Sequence, residues 1–476
     1  MLDKVMQKYK KVSAPVKASI WFTVCNAIQK GISLLSTPIF TRLLTPEQYG
    51  TYTVYQSWYQ IISIFATLNL FYGVFNNGMT KFPNDKRTFT SSMQGLSTTL
   101  TVALFCIYLI RPSFWNELLE LSSLYVFAMF AELLFAPAFN FWAAYERYDY
   151  KYRKLVVVTI IMAIGSPLLG IIAVINTEYK AEARVLSFVL VQVCIGLIFY
   201  IFNAYKGKRF FHKEYWKFAL VFNIPLIPHY LSSTILNQAD RLMISSMIGK
   251  KEAAIYSVAY NVGTMMTIIV TAIHNSFTPY MYKNIKGNNL AGIRKNSKPV
   301  ILIVGLACVA AMVFGPEIIA IFADKEYYEA VWVIPPVACA VFFKFLYPLF
   351  SNVEFYYEKT GFVMVASCIG AVANIILNYI FIPIFGYLAA GYTTLFCYIL
   401  YSFAHYVFQR KVLRDVGIEQ PIFDLKYILL FSSVILVIMV LLLFLYRNYW
   451  IRYGAALVLG IVFIVVIRKN KGILKK

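Results

Sequence analysis

Three charged residues interrupt long apolar stretches of the chain: Lys30, Glu132 and Lys344. Each lies near the middle of its stretch. An ionised side chain at the centre of a bilayer costs at least about 2.5 kcal/mol unless it is paired or faces water. We therefore expect each lysine to meet an anionic ligand, a carboxylate such as Glu132, or a backbone carbonyl. We interpret Glu132 as the candidate residue for coupling to an ion, and a structural pair between it and either lysine remains the alternative.

Other apolar stretches carry polar residues that suit ligand binding. Asp240 and Arg241 are adjacent at one end of a stretch and follow Gln238. They are candidates for contact with a ligand, or for a gate or capping pair between helices. Asn374 and Asn378 are four residues apart and share one face of a helix. Their amides suit sugar hydroxyls, and they equally suit hydrogen bonds between helices. Two further polar candidates are Asn69 and His229.

Pro225 and Pro228 fall inside an apolar stretch, close to His229. Proline removes a backbone donor and bends a helix, which a membrane tolerates where a neighbouring helix or water satisfies the freed carbonyls. We predict a hinge at these two prolines. A static kink is the alternative that the sequence leaves open.

The apolar stretches predict an all-α protein that crosses a membrane about fourteen times. The predicted spans are 16–40, 49–74, 90–110, 121–144, 155–176, 184–205, 218–240, 253–280, 297–320, 330–353, 361–383, 386–409, 426–446 and 450–467. Most of the 44 Lys and Arg residues fall in alternate connections, including those near Lys208, Lys295 and Arg414. This bias predicts that both termini are cytoplasmic, and that Lys180, Lys325 and Arg447 lie outside.

Several classes of function find no support in the sequence. The chain has a net charge of +22, but its basic residues are dispersed and form no nucleic-acid motif. We find no nucleotide-binding or nucleophile motif, and the connections are too short to form a soluble domain. The seven Cys and four His residues show no metal-ligand spacing. The sequence therefore favours a protein that is not an enzyme, has no metal or cofactor, and uses its helices as the working site.

A short pattern occurs twice in the chain. TRLLTPEQYGTYTVYQ begins at Thr41, and DRLMISSMIGKKEAAIYSVAY begins at Asp240. Both read Arg-Leu, a polar connection, and then Tyr-[Ser/Thr]-Val. This echo indicates two related halves, which is a common plan of secondary transporters. We predict an N-terminal lobe of six helices over residues 1–213, a C-terminal lobe of six helices over 214–410, and two extra helices with a basic tail over 411–476.

Four stretches together resemble the Wzx-type polysaccharide repeat-unit flippases of the multidrug/oligosaccharidyl-lipid/polysaccharide (MOP) exporter superfamily. They are RLLTPEQYG, NIPLIPHYLSSTILNQADRLMI, IYSVAYNVGTMM and NYIFIPIFGYLAAGYTTL. The resemblance implies alternating access between two lobes, in the cytoplasmic membrane of a bacterium. It implies transfer of an undecaprenyl-pyrophosphate-linked oligosaccharide to the outer leaflet for capsule, exopolysaccharide or O-antigen assembly. A polysaccharide polymerase and its chain-length machinery are further candidate partners.

The resemblance assigns a chemical role to the buried cations. A diphosphate crossing a low-dielectric layer needs fixed positive charge, so we predict that Lys30 and Lys344, one from each lobe, bind it. A cation-coupled multidrug exporter is the first alternative, although two Lys against one Glu suit an anionic substrate better. A membrane polysaccharide polymerase would need a large outer loop, and a structural scaffold does not account for buried charges.

Overall fold

The computed structural model describes residues 13–359 and 361–469, and most of these residues are helical. No strand occurs within these two ranges, and the expected all-α architecture is confirmed. The helices form two compact units, Met1–Thr234 and Ile235–Lys476. The predicted lobe boundaries at residues 213 and 410 stay predictions. Both termini, whose cytoplasmic position the sequence predicts, lie outside the described residues.

Unit 1 contains nine helices of its own among the described residues, and a tenth continues into unit 2. They are α1 (Ala14–Leu43), α2 (Pro46–Thr67), α3 (Gly73–Lys81), α4 (Lys86–Ile110), α5 (Pro112–Leu119), α6 (Ser123–Tyr148), α7 (Arg153–Ile175), α8 (Lys180–Gly207), α9 (Lys213–Asn223) and α10 (Ile227–Met247). A single 3₁₀ turn, Ile224–Leu226, joins α9 to α10.

Unit 2 holds the remaining helices of the described chain. They are α11 (Lys250–Thr264), α12 (Thr267–Lys286), α13 (Leu290–Val313), α14 (Gly315–Phe322), α15 (Ile334–Tyr356), α16 (Gly361–Phe385), α17 (Leu388–Asp415), α18 (Leu425–Leu445) and α19 (Tyr449–Lys469). A 3₁₀ segment, Lys325–Val333, precedes α15. Helix α15 is buried along almost its whole length and packs against α11, α13 and α17.

The helices are long enough to cross a bilayer. Within the described ranges, ten helical segments are both long and apolar enough to do so. Four other predicted spans coincide with α1, α2, α17 and α19, which contain 30, 22, 28 and 21 residues. At 1.5 Å per residue each of these also reaches across a hydrocarbon core of about 30 Å. The chain is a multi-pass membrane protein.

Several predicted spans are interrupted where the sequence analysis placed one continuous helix. Span 49–74 stops at Thr67, because Leu68 and Asn69 adopt left-handed backbone angles with φ of 48° and 52°. Span 218–240 is divided by the 3₁₀ turn that contains Pro225. Shorter breaks divide the spans at 253–280, 297–320 and 330–353. Irregular backbone at membrane depth is tolerated only where protein or water satisfies it, so each break marks a specific local structure.

The quoted RLLTPEQYG stretch builds the start of α2. Thr45 Oγ1 accepts a hydrogen bond from the Gln48 backbone N–H at 3.3 Å. Gln48 Oε1 accepts one from the Thr45 N–H at 3.1 Å. Pro46 occupies the first helical position, where its missing N–H costs nothing. The motif is therefore a capping box that fixes where α2 begins.

Polar side chains also join the helices inside unit 1. Asn203 on α8 donates hydrogen bonds to Gln94 Oε1 on α4 and to the carbonyl of Ala138 on α6, both at 3.0 Å. Gln94 in turn donates to the carbonyl of Tyr200 at 3.1 Å. Such amides bind helices together where apolar contact with lipid gives no preference between neighbours. They fix the mutual positions of α4, α6 and α8.

Candidate functional site

Asp240 is the centre of a buried polar network in unit 2. Its side chain is 1% exposed. The carboxylate accepts hydrogen bonds from Tyr256 Oη at 2.5 Å, Thr394 Oγ1 at 2.7 Å, Asn378 Nδ2 at 2.7 Å and Asn374 Nδ2 at 3.3 Å. The three predicted residues Asp240, Asn374 and Asn378 are thus in direct contact. Four donors around one carboxylate satisfy its capacity to accept hydrogen bonds inside the protein.

Arg241 makes a separate set of contacts beside this network. Its Nε donates to Ser257 Oγ at 3.1 Å, and its Nη1 donates to Gln238 Oε1 at 2.8 Å. Nη1 also donates to the carbonyl of Asn237 at 2.7 Å. No ion pair joins Arg241 to Asp240 in the described part of the chain. The two adjacent charges are therefore held by different neighbours and do not neutralise each other directly.

Lys344 on α15 reaches the same region of unit 2. The side chain is partly buried, and its Nζ donates to Asn237 Oδ1 at 2.7 Å. The ammonium lies 5.4 Å from the centroid of the Tyr398 ring, within the range of a cation–π contact. Asn237 links Lys344 to Arg241, and Arg241 follows Asp240 directly in the sequence, so six of the predicted site residues form one neighbourhood in unit 2. The members are Gln238, Asp240, Arg241, Lys344, Asn374 and Asn378, and we call them the unit-2 cluster.

Lys30 and Glu132 occupy unit 1 but do not form a pair there. Lys30 is exposed on α1, and among the described residues it makes no hydrogen bond or ion pair. Glu132 is 2% exposed and accepts a hydrogen bond from Tyr55 Oη at 2.8 Å. Lys30 thus lies halfway along a membrane helix, exposed and without a partner among the described residues of its own unit. Such a cation is compatible with the bilayer only if it faces water or a ligand.

Asn69, Pro225, Pro228 and His229 all lie at the two helix breaks of unit 1. Pro225 is within the 3₁₀ turn, and Pro228 is the second residue of α10, where proline fits without loss of a helical hydrogen bond. Asn69 follows Leu68 in the left-handed stretch after α2. His229 is half-buried on the first turn of α10.

The two breaks are joined by a single amide. Asn223, which ends α9 and is fully buried, donates from Nδ2 to the carbonyl of Leu68 at 2.6 Å. The interrupted backbone of α2 is therefore satisfied by the residue at which the next interruption begins. We therefore expect that a change in the bend at one break shifts the backbone at the other.

Arg184 is a buried cation that the sequence analysis missed. It is 5% exposed on α8, and its guanidinium carbon lies 3.9 Å and 4.0 Å from the ring centroids of Phe40 and Tyr52. Nε and Nη1 find no hydrogen-bond acceptor, and no carboxylate pairs with Arg184 in the described residues. The only signal in the sequence was Tyr52, whose counterpart in the repeated pattern is Tyr256.

A cavity of about 180 Å³ adjoins Arg184 in unit 1. Half of the side chains that face it from α1, α7 and α8 are amides and hydroxyls. Its polar lining besides Arg184 includes Gln29, Ser33, Ser36, Ser166 and Gln192. Gln29, Ser33 and Ser36 lie at helical spacing on one face of α1, beside Lys30. The crevice thus combines an unpaired cation with hydroxyl and amide groups, which are the groups that hydrogen-bond a sugar phosphate.

Unit 2 also contains a buried ionisable pair outside the predicted set. His405 Nδ1 lies 2.9 Å from Glu354 Oε1, and both side chains are fully buried. The other carboxylate oxygen of Glu354, Nε2 of His405 and both polar atoms of Gln409 have no partner. Among the described residues, no three His, Cys, Asp or Glu side chains are close enough to share a metal ion.

Comparisons with known proteins agree with this architecture. The family model described as polysaccharide biosynthesis protein matches residues 16–285, and the MatE model matches residues 225–380. A protein of Haemophilus influenzae described as an uncharacterized membrane protein is 19% identical over 363 residues, which are 72% of this chain and 85% of that protein.

Solved structures show the same fold at low sequence identity. Lipid II flippase MurJ, in an inward closed conformation, aligns with a TM-score of 0.69 and 15% identity, over 96% of this chain and 100% of MurJ. An inward-facing multidrug resistance transporter of the MATE family aligns with a TM-score of 0.61 and 13% identity, over 84% of this chain and 99% of its own. Since the first family model covers more than half of the sequence, the chain belongs to the polysaccharide biosynthesis protein family, and it has the fold of the MOP superfamily.

Proposed function

We propose that this protein is a flippase for an undecaprenyl-pyrophosphate-linked oligosaccharide. In this proposal it moves a repeat unit from the inner to the outer leaflet of the bacterial cytoplasmic membrane, for capsule, exopolysaccharide or O-antigen assembly. Family membership supports a role in polysaccharide biosynthesis. MurJ is named as a lipid II flippase, and this chain shares the fold of MurJ over nearly its whole length.

The observation that carries the proposal is unpaired positive charge in unit 1. Lys30 is exposed without a partner in the described residues, and Arg184 is buried without a carboxylate. A protein that only spans a membrane gains nothing from such charges, because each costs solvation energy. A diphosphate supplies the missing counter-charge, and the amides and hydroxyls near Arg184 supply partners for sugar hydroxyls.

Unit 2 contributes groups of a different kind. Lys344 is held by Asn237, so we propose that it exchanges this amide for the phosphate oxygens when substrate is present. Arg241 and Gln238 belong to the same cluster, and Arg241 donates to the backbone carbonyl of Asn237, the residue whose side-chain amide Lys344 contacts. Asp240 on α10 is hydrogen-bonded to Asn374 and Asn378 on α16, and we propose that these bonds keep α10 in place. Asn69 and His229 are proposed to contact sugar at the breaks of unit 1.

A cation-coupled multidrug exporter is the second candidate, and one observation favours it. Glu132 in unit 1 and Asp240 in unit 2 are buried carboxylates without a cationic partner in the described residues. Such groups suit binding of a coupling proton or metal cation. In the flippase proposal Glu132 is the candidate for ion coupling as well, so this observation does not separate the two functions.

Deletion of the gene is expected to cause a lipid-linked repeat unit to accumulate on the cytoplasmic leaflet, measurable by mass spectrometry. Complementation then tests Lys30. We expect Lys30→Gln to reduce flipping about tenfold and Lys30→Arg to retain most of it, because the charge matters more than the donor geometry. Unchanged lipid-linked intermediates together with altered drug sensitivity would contradict the proposal and support the exporter.

The double variant Glu132→Gln/Lys30→Gln separates binding from structural pairing. If Lys30 served only to balance Glu132, removal of both charges would restore flipping. We expect the double variant to be at least as impaired as Lys30→Gln alone. Equal membrane levels of all variants, measured by immunoblotting, serve as the control for folding.

The prolines at the break between α9 and α10 are proposed to act as a hinge. Replacing Pro225 and Pro228 by alanine permits a continuous helix, so we expect severalfold slower flipping by a protein that still folds. Pro112, at the first position of α5, is the matched control, and Pro112→Ala should flip normally. Full activity of the double variant would show that the bend is static.

A further inference from the structure

Basic side chains surround a cavity of about 890 Å³ at one end of unit 1. They are Arg87 at the start of α4, Lys151 between α6 and α7, and Arg153 and Lys154 in the first turn of α7. Among the described residues that line the cavity, Glu146 is the one acid. Because α4 and α7 begin here and α6 ends here, the cavity lies at the membrane interface, on the side that the basic connections predict to be cytoplasmic.

The floor of this cavity is aromatic and apolar. Trp142 is 4% exposed, and its ring stacks on Phe199 with centroids 4.2 Å apart. Phe202, Val157 and Val158 complete the apolar part of the lining. A basic rim over an apolar floor matches a ligand that carries negative charge at one end and hydrocarbon at the other. That is the chemistry of a lipid at the level of its headgroup.

The first turn of α7 carries positive charge and no acidic residue of its own. The helix begins with Arg153 and Lys154, contains no acidic residue in its first turn, and receives no side-chain cap from Tyr152. The N-terminus of a helix carries a partial positive charge and several backbone N–H groups without a helical acceptor. Two cations at this position repel that charge. A bound anion would relieve the repulsion and would accept the free N–H groups.

The basic residues of the rim differ in their existing partners. Lys151 pairs with Asp149 at 3.0 Å, and the Arg87 guanidinium stacks on the Tyr145 ring at 3.8 Å. Arg153 and Lys154 are exposed and form neither a hydrogen bond nor an ion pair in the described part of the chain. These two side chains are therefore available to a ligand, while the other two keep the rim positive.

We propose that this cavity binds the headgroup of an anionic phospholipid. The phosphodiester oxygens accept hydrogen bonds from Arg153, Lys154 and the first backbone N–H groups of α7, and the first acyl carbons lie on Trp142 and Phe199. The lipid is a resident of the membrane and not the transported substrate. The bound lipid stabilises the packing of the ends of α4, α6, α7 and α8 at the interface. The proposal does not depend on the transport function, since it concerns binding alone.

Binding of phospholipids to the purified full-length protein tests this site by native mass spectrometry. We expect phosphatidylglycerol to bind about tenfold more tightly than phosphatidylcholine with the same acyl chains. The double variant Arg153→Gln/Lys154→Gln should lose this preference, because basic residues at the lipid surface supply the attraction to an anionic headgroup. Phosphatidylglycerol binding to the wild type should weaken as salt rises.

Lys213→Gln/Lys217→Gln is the matched control. It removes two exposed cations from α9, in the same unit and on the same predicted side, but outside the cavity. We expect it to keep the wild-type preference. Three results would overturn the proposal: equal loss in this control, equal binding of both lipids to the wild type, or displacement of phosphatidylglycerol by millimolar inorganic phosphate. The last result would identify a site for the free ion.

Discussion

Replacing Asp240 by alanine is expected to destabilise unit 2 more than any other single change to the unit-2 cluster. The carboxylate accepts hydrogen bonds from Tyr256, Thr394, Asn378 and Asn374, and alanine would leave all four donors without it. An unsatisfied buried group costs about 1–3 kcal/mol in soluble proteins, whereas hydrogen bonds between membrane helices average about 0.6 kcal/mol. Because four donors lose one shared acceptor group, we expect a loss of roughly 3 kcal/mol.

The loss is measurable as a lower melting temperature and a smaller folded fraction on size-exclusion chromatography in detergent. Asp240→Asn should be milder, since the hydroxyls of Tyr256 and Thr394 can rotate to accept from the new amide. Asp415→Ala is the control, because Asp415 is exposed at the end of α17 and its removal changes the net charge equally. A melting temperature of Asp240→Ala equal to that of the control would refute a structural role for the network.

The unit-2 cluster shows how far sequence alone can lead to a site. Helical spacing predicts that Asn374 and Asn378 share a face, and they do meet a common partner. The partner itself, Asp240, is more than 130 residues away in sequence. Nothing local indicates this contact, because it depends on how α10 and α16 pack. Thr394 and Tyr256 were missed for the same reason.

The position of a charged residue along an apolar stretch identifies some buried charges from sequence but not all of them. Lys30 and Lys344 stand out because apolar residues surround them on both sides in sequence. Arg184 follows Lys180 and Glu182 closely, so it reads as part of a polar helix start. Its burial arises from Phe40 and Tyr52 on two other helices, which hydropathy along α8 cannot reveal.

Of the two helix breaks in unit 1, the sequence predicts one and not the other. Pro225 and Pro228 indicate the turn before α10 in the sequence, because a residue without an N–H and with a fixed φ interrupts the interior of a helix. The break after Thr67 carries no such residue. Leu68 adopts a left-handed angle that is unfavourable for a branched hydrophobic side chain, and Asn223 stabilises it through the Leu68 carbonyl. Only the tertiary fold supplies that hydrogen bond.

Arg184→Met is expected to make the protein more stable and less active at the same time. Methionine preserves the apolar contact with Phe40 and Tyr52 while it removes a buried charge that has no carboxylate partner in the described residues. Removal of an uncompensated buried charge is favourable, and we expect a gain on the order of 1 kcal/mol. If Arg184 attracts the anionic substrate into the polar crevice of unit 1, flipping should fall about tenfold.

The two readouts together separate function from structure. A purely structural arginine, held for its contacts with two aromatic rings, would lose those cation–π interactions in Arg184→Met and give a lower melting temperature. Arg184→Lys keeps the charge, so it should retain more flipping than Arg184→Met and show no stability gain. Arg111→Met is the control, because Arg111 is exposed near the Phe114 ring and lies on the same predicted side of the membrane. An unpaired buried charge destabilises the folded protein. A higher melting temperature together with slower flipping in Arg184→Met would therefore show that Arg184 acts on the substrate.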